Sequence, residues 1–380
     1  MRQTASFIST YSADEAGICS ALYELGGMTV IHDPSGCNST YTTHDEPRWY
    51  DMDSMIYISG LSEIEAIMGD DDKLINDILE AAKQLSPRFI AIAGSPIPMM
   101  VGTDIEAIAK VVEHRAGIPT FGFLTNGMNS YLSGASMAFK AVAERMVDRN
   151  ISKDSKLSLN IIGATPLDFS VNGSVDSIKK LLIDNGLNIV STWAMGSTLD
   201  EIKKSGQASV NLVISYSGLA AAEELKKMFG TPYVVGVPYG KTFSKQIIQD
   251  LKAAVDTGEN KVCYTKRLVK DMSDITIIGE SVMSGSIAAA INAESGRTVQ
   301  VLCPLETEQK LMADGDFSAR DEDDLAPYLK KSKILIADPM YRPICPKNCE
   351  FIALPHEAFS GRIYSKDIPN LVEDFKLKRN

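Results

Sequence analysis

A chain of 380 residues, with 44% hydrophobic and 23% charged side chains, is long enough for two or three cores and too mixed in composition to be disordered. Its net charge of −11 argues against nucleic acid or an anionic membrane as the main partner. No apolar run of about eighteen residues occurs, and Met1-Arg-Gln-Thr-Ala-Ser6 lacks an apolar signal core, so a cytoplasmic protein is expected.

Ser12-Ala-Asp-Glu15 offers an N-cap and an acidic first turn, followed by a helical pattern through Leu25 that Gly26-Gly27 ends. Cys19 falls inside that helix. The β-type run Met28–Ile31 empties into the turn His32-Asp-Pro-Ser-Gly36-Cys37, where Pro34 fixes φ and Gly36 frees it. A thiol on a turn after a parallel strand lies where α/β proteins place chemistry. Two thiols near one sheet edge suggest a soft-metal or iron–sulfur site, or two small buried hydrophobes. A polar loop with His44, Asp45, Arg48, Trp49 and Tyr50 follows. Then come a strand over 55–60 and a helix with Ile75, Ile78, Leu79 and Ala82 at helical spacing. A strand over 89–93 ends at Gly94-Ser95-Pro96. A helix from Thr103 or Asp104, with Ile105, Ile108, Val111 and Val112 on one face, leads to a strand over 119–124.

A second cycle reads as strand 157–163, helix 174–184, strand 188–190, helix 198–204, strand 210–215, helix 218–229 and strand 233–237. A third reads as strand 274–279, helix 282–294, strand 298–302, a polar segment over 313–324, and strands 334–337 and 351–354. Alternating strands and helices predict parallel sheets of βαβ units. The expected architecture is three Rossmann-like α/β domains, over 1–155, 156–272 and 273–380.

Few local motifs carry chemistry. Gly279-Glu-Ser-Val-Met-Ser-Gly285 lacks the spacing of a dinucleotide turn and reads as an ordinary strand-to-helix turn, as does Gly163-Ala-Thr-Pro166. No phosphate-binding loop with its lysine occurs, so ATP hydrolysis by this chain is not expected. Six cysteines are too sparse for a disulfide scaffold. Cys345-Pro-Lys-Asn-Cys349 has no second pair to complete a structural zinc site, and Cys303, on an apolar strand, reads as a buried small hydrophobe. His356 and Arg362, after the last strand, are candidates for an interdomain cleft.

Together these pieces resemble the cluster-bearing subunits of nitrogenase and nitrogenase-like reductases. Cys19 matches that family's early helical cysteine, and His32-Asp-Pro-Ser-Gly-Cys37 is similar to its second cysteine turn. Ser95 stands where the third cysteine belongs. Ser215, followed by Tyr216, occupies the place of the cysteine that holds the large cofactor, which speaks against an iron–molybdenum-type cofactor. His356-Glu-Ala-Phe-Ser-Gly361 resembles the segment carrying that cofactor's histidine ligand.

The resemblance implies a [4Fe–4S] cluster bridging two subunits through Cys19 and Cys37 of each, since four ligands are the rule and one chain offers two. The pair is a homodimer or a heterodimer with a paralogue. Gly36 supports the turn, and Ser95 is placed to tune the cluster. Electrons are expected from a separate ATP-dependent P-loop iron–sulfur reductase, under anaerobic conditions. The substrate would lie in the interdomain cleft beside His356, Arg362, Ser215 and Tyr216, with room for an additional metallocofactor or tetrapyrrole. The leading expectation is thus an oxidoreductase subunit, the nickel-tetrapyrrole reductive cyclase of coenzyme F430 synthesis being one variant. Two other readings are a non-catalytic scaffold for metallocluster assembly and a metal-free small-molecule binding protein.

Overall fold

Short runs of Ile, Val, Leu and Ala become strands buried on both faces, as a parallel sheet covered by helices requires. The computed structural model describes residues 11–34, 46–154, 157–267, 273–319 and 321–377. Its first sheet contains β1 (Met28–His32), β2 (Met55–Ile58), β3 (Ile90–Gly94) and β4 (Thr120–Phe123), in the order β2-β1-β3-β4. Helix α1 (Asp14–Leu22) precedes β1. The connections carry α2 (Glu63–Met68), α3 (Asp71–Leu85), α4 (Pro96–Val101) and α5 (Ile105–Ala116), and α6 (Tyr131–Met146) follows β4. Asp70 and Asp104 cap α3 and α5 by accepting backbone N–H groups, and α3 buries Leu74, Ile75, Ile78 and Ala82 on the face that the spacing predicts.

The second sheet contains β5 (Ser158–Ile162), β6 (Asn188–Thr192), β7 (Val210–Val213), β8 (Tyr233–Val235) and β9 (Lys261–Val262), in the order β6-β5-β7-β8-β9. Around it lie α7 (Pro166–Phe169), α8 (Ser174–Asp184), α9 (Leu199–Lys203), α10 (Leu219–Phe229) and α11 (Lys241–Thr257). The third contains β10 (Ile275–Ile278), β11 (Val299–Cys303), β12 (Phe317–Ser318), β13 (Ile334–Ala337) and β14 (Glu350–Ala353), in the order β12-β11-β10-β13-β14. Its helices are α12 (Ser281–Ser295), α13 (Glu322–Leu329) and α14 (Glu357–Tyr364). Every paired strand in the three sheets is parallel. The α/β class of three parallel sheets is therefore as the alternation predicts. One hydrophobic cluster runs from Phe89 and Phe121 through Phe139 and Trp193 to Val301 and Ile336, joining the three sheets.

Helices α6 and α11 are not anticipated by the sequence reading. Sequence YLSGASMAFKAVAERM gives α6 few large apolar landmarks, because its small residues serve close packing against α1 and α10. A Cβ on Gly17 of α1 would lie 2.0 Å from the Tyr131 carbonyl oxygen, and one on Gly134 of α6 would lie 1.8 Å from the Asp14 carbonyl oxygen. Reciprocal glycines thus let the two backbones touch. Among the described residues no helix is long and apolar enough to cross a membrane.

Strand order reverses at one place in each sheet: between β1 and β3, between β5 and β7, and between β10 and β13. Connections leave in opposite directions there and open a crevice outside the strands' carboxyl ends, the usual ligand position in open α/β sheets.

Candidate functional site

The second and third crevices share one cavity of about 50 Å³, whose lining includes Asp168, Glu280, Asp338, Tyr341, His356 and Phe359. Each polar member comes from the end of a strand. Asp168 lies on α7 just beyond β5, Glu280 caps α12 after β10, Asp338 follows β13, and His356 follows β14.

His356 is held at both ends. Its backbone N–H donates to Asp338 Oδ2 at 2.9 Å, and the same oxygen accepts from Ser360 Oγ at 2.6 Å. Its ring lies edge-on to Phe359, with centroids 5.3 Å apart. Nε2 is 3.5 Å from Asp168 Oδ1, and the side chain is 13% exposed. Neither ring nitrogen has a hydrogen-bond partner within normal range. Burial alone pushes the imidazolium down, but Asp168, Asp338 and Glu280 outweigh it and raise the pKa above the ordinary histidine value.

Asp168 is the hub of the site. Its Oδ1 accepts from the buried Tyr131 Oη at 2.5 Å, and its Oδ2 accepts from Thr165 Oγ1 at 3.3 Å. Burial and the neighbouring Asp168 charge hold the Tyr131 phenol well above its usual range, so it stays a donor.

Glu280 is 1% exposed. It accepts from the backbone N–H groups of Tyr216 at 3.0 Å, Val282 at 3.0 Å and Met283 at 2.7 Å, tying the β7 crevice to the start of α12. Burial, then the Asp168 charge, pushes its carboxyl up to about 7, against the pull of those amides. At neutral pH this side chain can both give and take a proton.

The sequence candidates fall in different places. Tyr216 joins the site through its backbone. Ser215 is buried, and its hydroxyl is engaged by Ser217 N at 3.3 Å and Ser217 Oγ at 3.0 Å. Arg362 is exposed and lines a neighbouring cleft of about 980 Å³, which shares Asn172, Phe359 and Ile368 with the cavity. Asp168, Tyr131, Glu280 and Asp338 are not named from sequence. Glu280 and Asp168 nevertheless sit in or just after the two turns that read as ordinary, and their one signal is an acid beyond a strand end.

Gly36 and Cys37 lie outside the described residues. The edge from which their turn departs, at the first crevice, is polar. Glu15 Oε2, Asp33 Oδ2 and Ser95 Oγ are buried there without hydrogen-bond partners, and burial followed by the bond to Asp14 pushes Glu15 up to about 8. Unpartnered buried oxygens fit an edge that receives a polar or metal-containing group. Cys19 is 1% exposed and lies in a hydrophobic cluster with Ala16, Tyr23, Leu132 and Leu167, and burial followed by Glu15 and Glu46 raises its thiol well above the usual range.

Similar proteins place the chain in a family. It is 27% identical over 281 residues to the nitrogenase iron-molybdenum cofactor biosynthesis protein NifE of Clostridium pasteurianum, covering 70% of this chain and 59% of that protein. It is 23% identical over 266 residues to a light-independent protochlorophyllide reductase subunit of Prosthecochloris aestuarii, covering 68% and 48% respectively. The chain thus spans about half to three-fifths of the length of these relatives. In fold it is similar to the solved structure of nitrogenase Cp1 at pH 6.5, with a TM-score of 0.65 at 15% identity, covering 94% of this chain and 86% of that one. Residues 25–302 match the family model for nitrogenase component 1 type oxidoreductases, and the chain belongs to that family.

Proposed function

We propose that this chain is the electron-accepting catalytic subunit of a nitrogenase-like two-component reductase. Its donor is an ATP-dependent P-loop iron–sulfur reductase, and its substrate occupies the interdomain cleft. The observation that carries this reading is the buried set of His356, Asp168, Tyr131 and Glu280 around one cavity. Reducing an unsaturated substrate consumes protons as well as electrons, and groups poised near neutral pH are suited to deliver them. A scaffold that only assembles and releases a metallocluster has no need of such a relay.

Asp168 favours the charged imidazole, Tyr131 donates to Asp168 and fixes it, and Glu280 exchanges a second proton across the cavity. The substrate's reacting end enters the cavity, while its bulk rests in the adjoining cleft with Arg362 on the wall. A tetrapyrrole suits that division, and the likeness to a protochlorophyllide reductase supports the choice.

A [4Fe–4S] cluster between two copies of the chain, or between it and a paralogue, would supply one-electron transfer. Cys19 and Cys37 of each subunit would hold it, beside the polar edge of Glu15, Asp33 and Ser95. What supports a paired arrangement is an apolar face on the same side of the first sheet. Helix α2 is closed by a Ser62–Glu65 capping box and by Gly69, yet buries none of its residues. Ile64, Ile67, Met68 and Met100 are 74–78% exposed, and Leu124 and Met128 stand near them in the fold at 59% and 73%. Contiguous exposed apolar surface of this kind marks a binding face.

The scaffold reading draws support from the likeness to a cofactor biosynthesis protein and from Ser215. One experiment separates the two. Anaerobically purified protein is mixed with a P-loop iron–sulfur reductase and ATP, and electron uptake is followed by electron paramagnetic resonance. Repeated ATP-dependent reduction and reoxidation by substrate is expected. Iron that instead leaves with an acceptor protein, without turnover, would establish the scaffold.

A further inference from the structure

Cys345 and Cys349 are described thiols outside the candidate site. Cys19, Cys263 and Cys303 are 1%, 4% and 0% exposed, whereas both members of this pair are partly exposed. A tight turn brings them together. Cys345 ends the 3-10 turn Pro339–Ile344, and the Cys349 N–H donates to the Pro346 carbonyl at 2.9 Å. Cys345 Sγ lies 3.7 Å from the Cys349 carbonyl oxygen, so the turn sets the two thiols close together.

Among the described residues no third His, Cys, Asp or Glu joins them in a group able to hold a metal ion. Two neighbouring thiols on one turn, without a further ligand among the described residues, suit redox chemistry better than metal binding. We propose that Cys345 and Cys349 form an oxidisable dithiol that a small-molecule disulfide converts to an intramolecular disulfide.

The steps balance. The Cys345 thiolate attacks one sulfur of the small disulfide, forming a mixed disulfide and releasing one thiolate. Cys349 loses its proton and attacks Cys345 Sγ, closing the Cys345–Cys349 bond and expelling the second thiolate. The protein gives up two electrons and two protons, and the small disulfide becomes two thiols.

The order of attack follows from the surroundings. Both thiols are raised mainly by burial. At Cys345 the hydrogen bond to Cys349 and the Arg342 guanidinium oppose that rise, whereas Cys349 is pushed up to about 12 by burial and then by its neighbour. Cys345, whose N–H donates to the Arg342 carbonyl at 3.1 Å and whose thiolate that residue's guanidinium favours, is the nucleophile, and Cys349 is the resolving thiol. Glu350 pairs with Ile334, the first residue of β13, so the pair lies at the amino end of the third sheet, away from the cavity at the carboxyl end. Closing the bond ties the crossover that begins at Asp338 to the base of the strand leading to His356.

The test uses the full chain, prepared anaerobically and incubated with oxidised glutathione, then quenched in acid, alkylated and digested with trypsin. Exposed Lys347 lies between the two cysteines, so digestion leaves them on separate peptides unless a disulfide joins them. The expected product is the linked peptide pair, with no lasting glutathione adduct. Cys349→Ser should raise the adduct at Cys345 about tenfold over the unsubstituted chain, because nothing resolves it, and Cys345→Ser should abolish both products. Recovery of both cysteines alkylated, or an adduct level that Cys349→Ser leaves unchanged, would overturn the proposal.

Discussion

Replacing Glu280 by Gln should change how stability depends on pH, and the size of the effect follows from the burial of that carboxyl. Its pKa rises from the ordinary glutamate value of 4.5 to about 7. An acid with a raised folded-state pKa holds its proton more tightly in the folded chain than in the unfolded one. Its contribution is present in full below about pH 4.5 and is lost as the pH rises through about 7. At about 1.4 kcal/mol for each pH unit, the loss comes to about 3 kcal/mol.

Glutamine cannot ionise, so this part of the pH dependence disappears in the variant. One carboxylate oxygen becomes an NH₂ that must face a backbone N–H of Tyr216, Val282 or Met283, costing about 1 kcal/mol at every pH. The variant should therefore be about 1 kcal/mol less stable than the unsubstituted protein at pH 4.5 and about 2 kcal/mol more stable at pH 8. Urea denaturation at four values between pH 4.5 and 8, with a constant m-value, reads the crossover. Glu15, pushed up to about 8, acts in the same direction in both proteins and cancels in the comparison. Parallel stability profiles would refute the argument that burial holds a proton on Glu280.

Asp168→Asn removes the nearest charge to His356 and should lower that histidine's pKa by at least about one unit, read by nuclear magnetic resonance titration of the four histidines; an unmoved titration would exclude Asp168 as its partner. Tyr131→Phe deletes the donor to the Asp168 carboxylate and should cost about 1.5–3 kcal/mol in urea unfolding at pH 7. Gly17→Ala forces a methyl against the Tyr131 carbonyl and should destabilise by about 1–3 kcal/mol, whereas a change within about 0.5 kcal/mol would mean that α1 and α6 can separate freely. Met100→Asp, on the exposed face, should shift the sedimentation equilibrium towards monomer without altering the far-ultraviolet circular dichroism.

Parallel sheets were legible because their strands are buried on both faces and need continuous apolar runs. β3 and β13 are short runs of Ile, Leu and Ala, and β5 and β10 are short runs of Ile and Leu interrupted by one buried polar residue each, Asn160 and Thr276. Helix α3 was legible because only one face is buried, and its period shows. Helix α6 was not, since contact with α1 and α10 selects small residues and erases the period. His356 was found as a histidine after a strand and a proline. Its partners were not, because Asp168 reaches it from another sheet and Tyr131 from the helix after the first, at separations of 188 and 225 positions in sequence. Spacing motifs report neighbours along the chain, and a site assembled from three sheets has few.

The three strand-order reversals explain why one chain can separate two tasks. The second and third crevices face each other across Glu280, which takes hydrogen bonds from both sides and closes them into an interior cavity. There the low dielectric strengthens the His356–Asp168 attraction and raises the Glu280 carboxyl to about 7, which suits proton delivery on the proposed function. The first crevice lacks such a counterpart among the described residues. It keeps unpartnered oxygens at Glu15, Asp33 and Ser95 and lies beside the exposed apolar residues of α2 and α4. On the proposed function an electron enters from another protein, so its entry point has to lie at a surface that another chain can cover. Protons must arrive where bulk water cannot compete, so their donors have to lie inside. The fold offers a place for each: the first crevice lies beside the exposed apolar residues of α2 and α4, and the other two share one interior cavity.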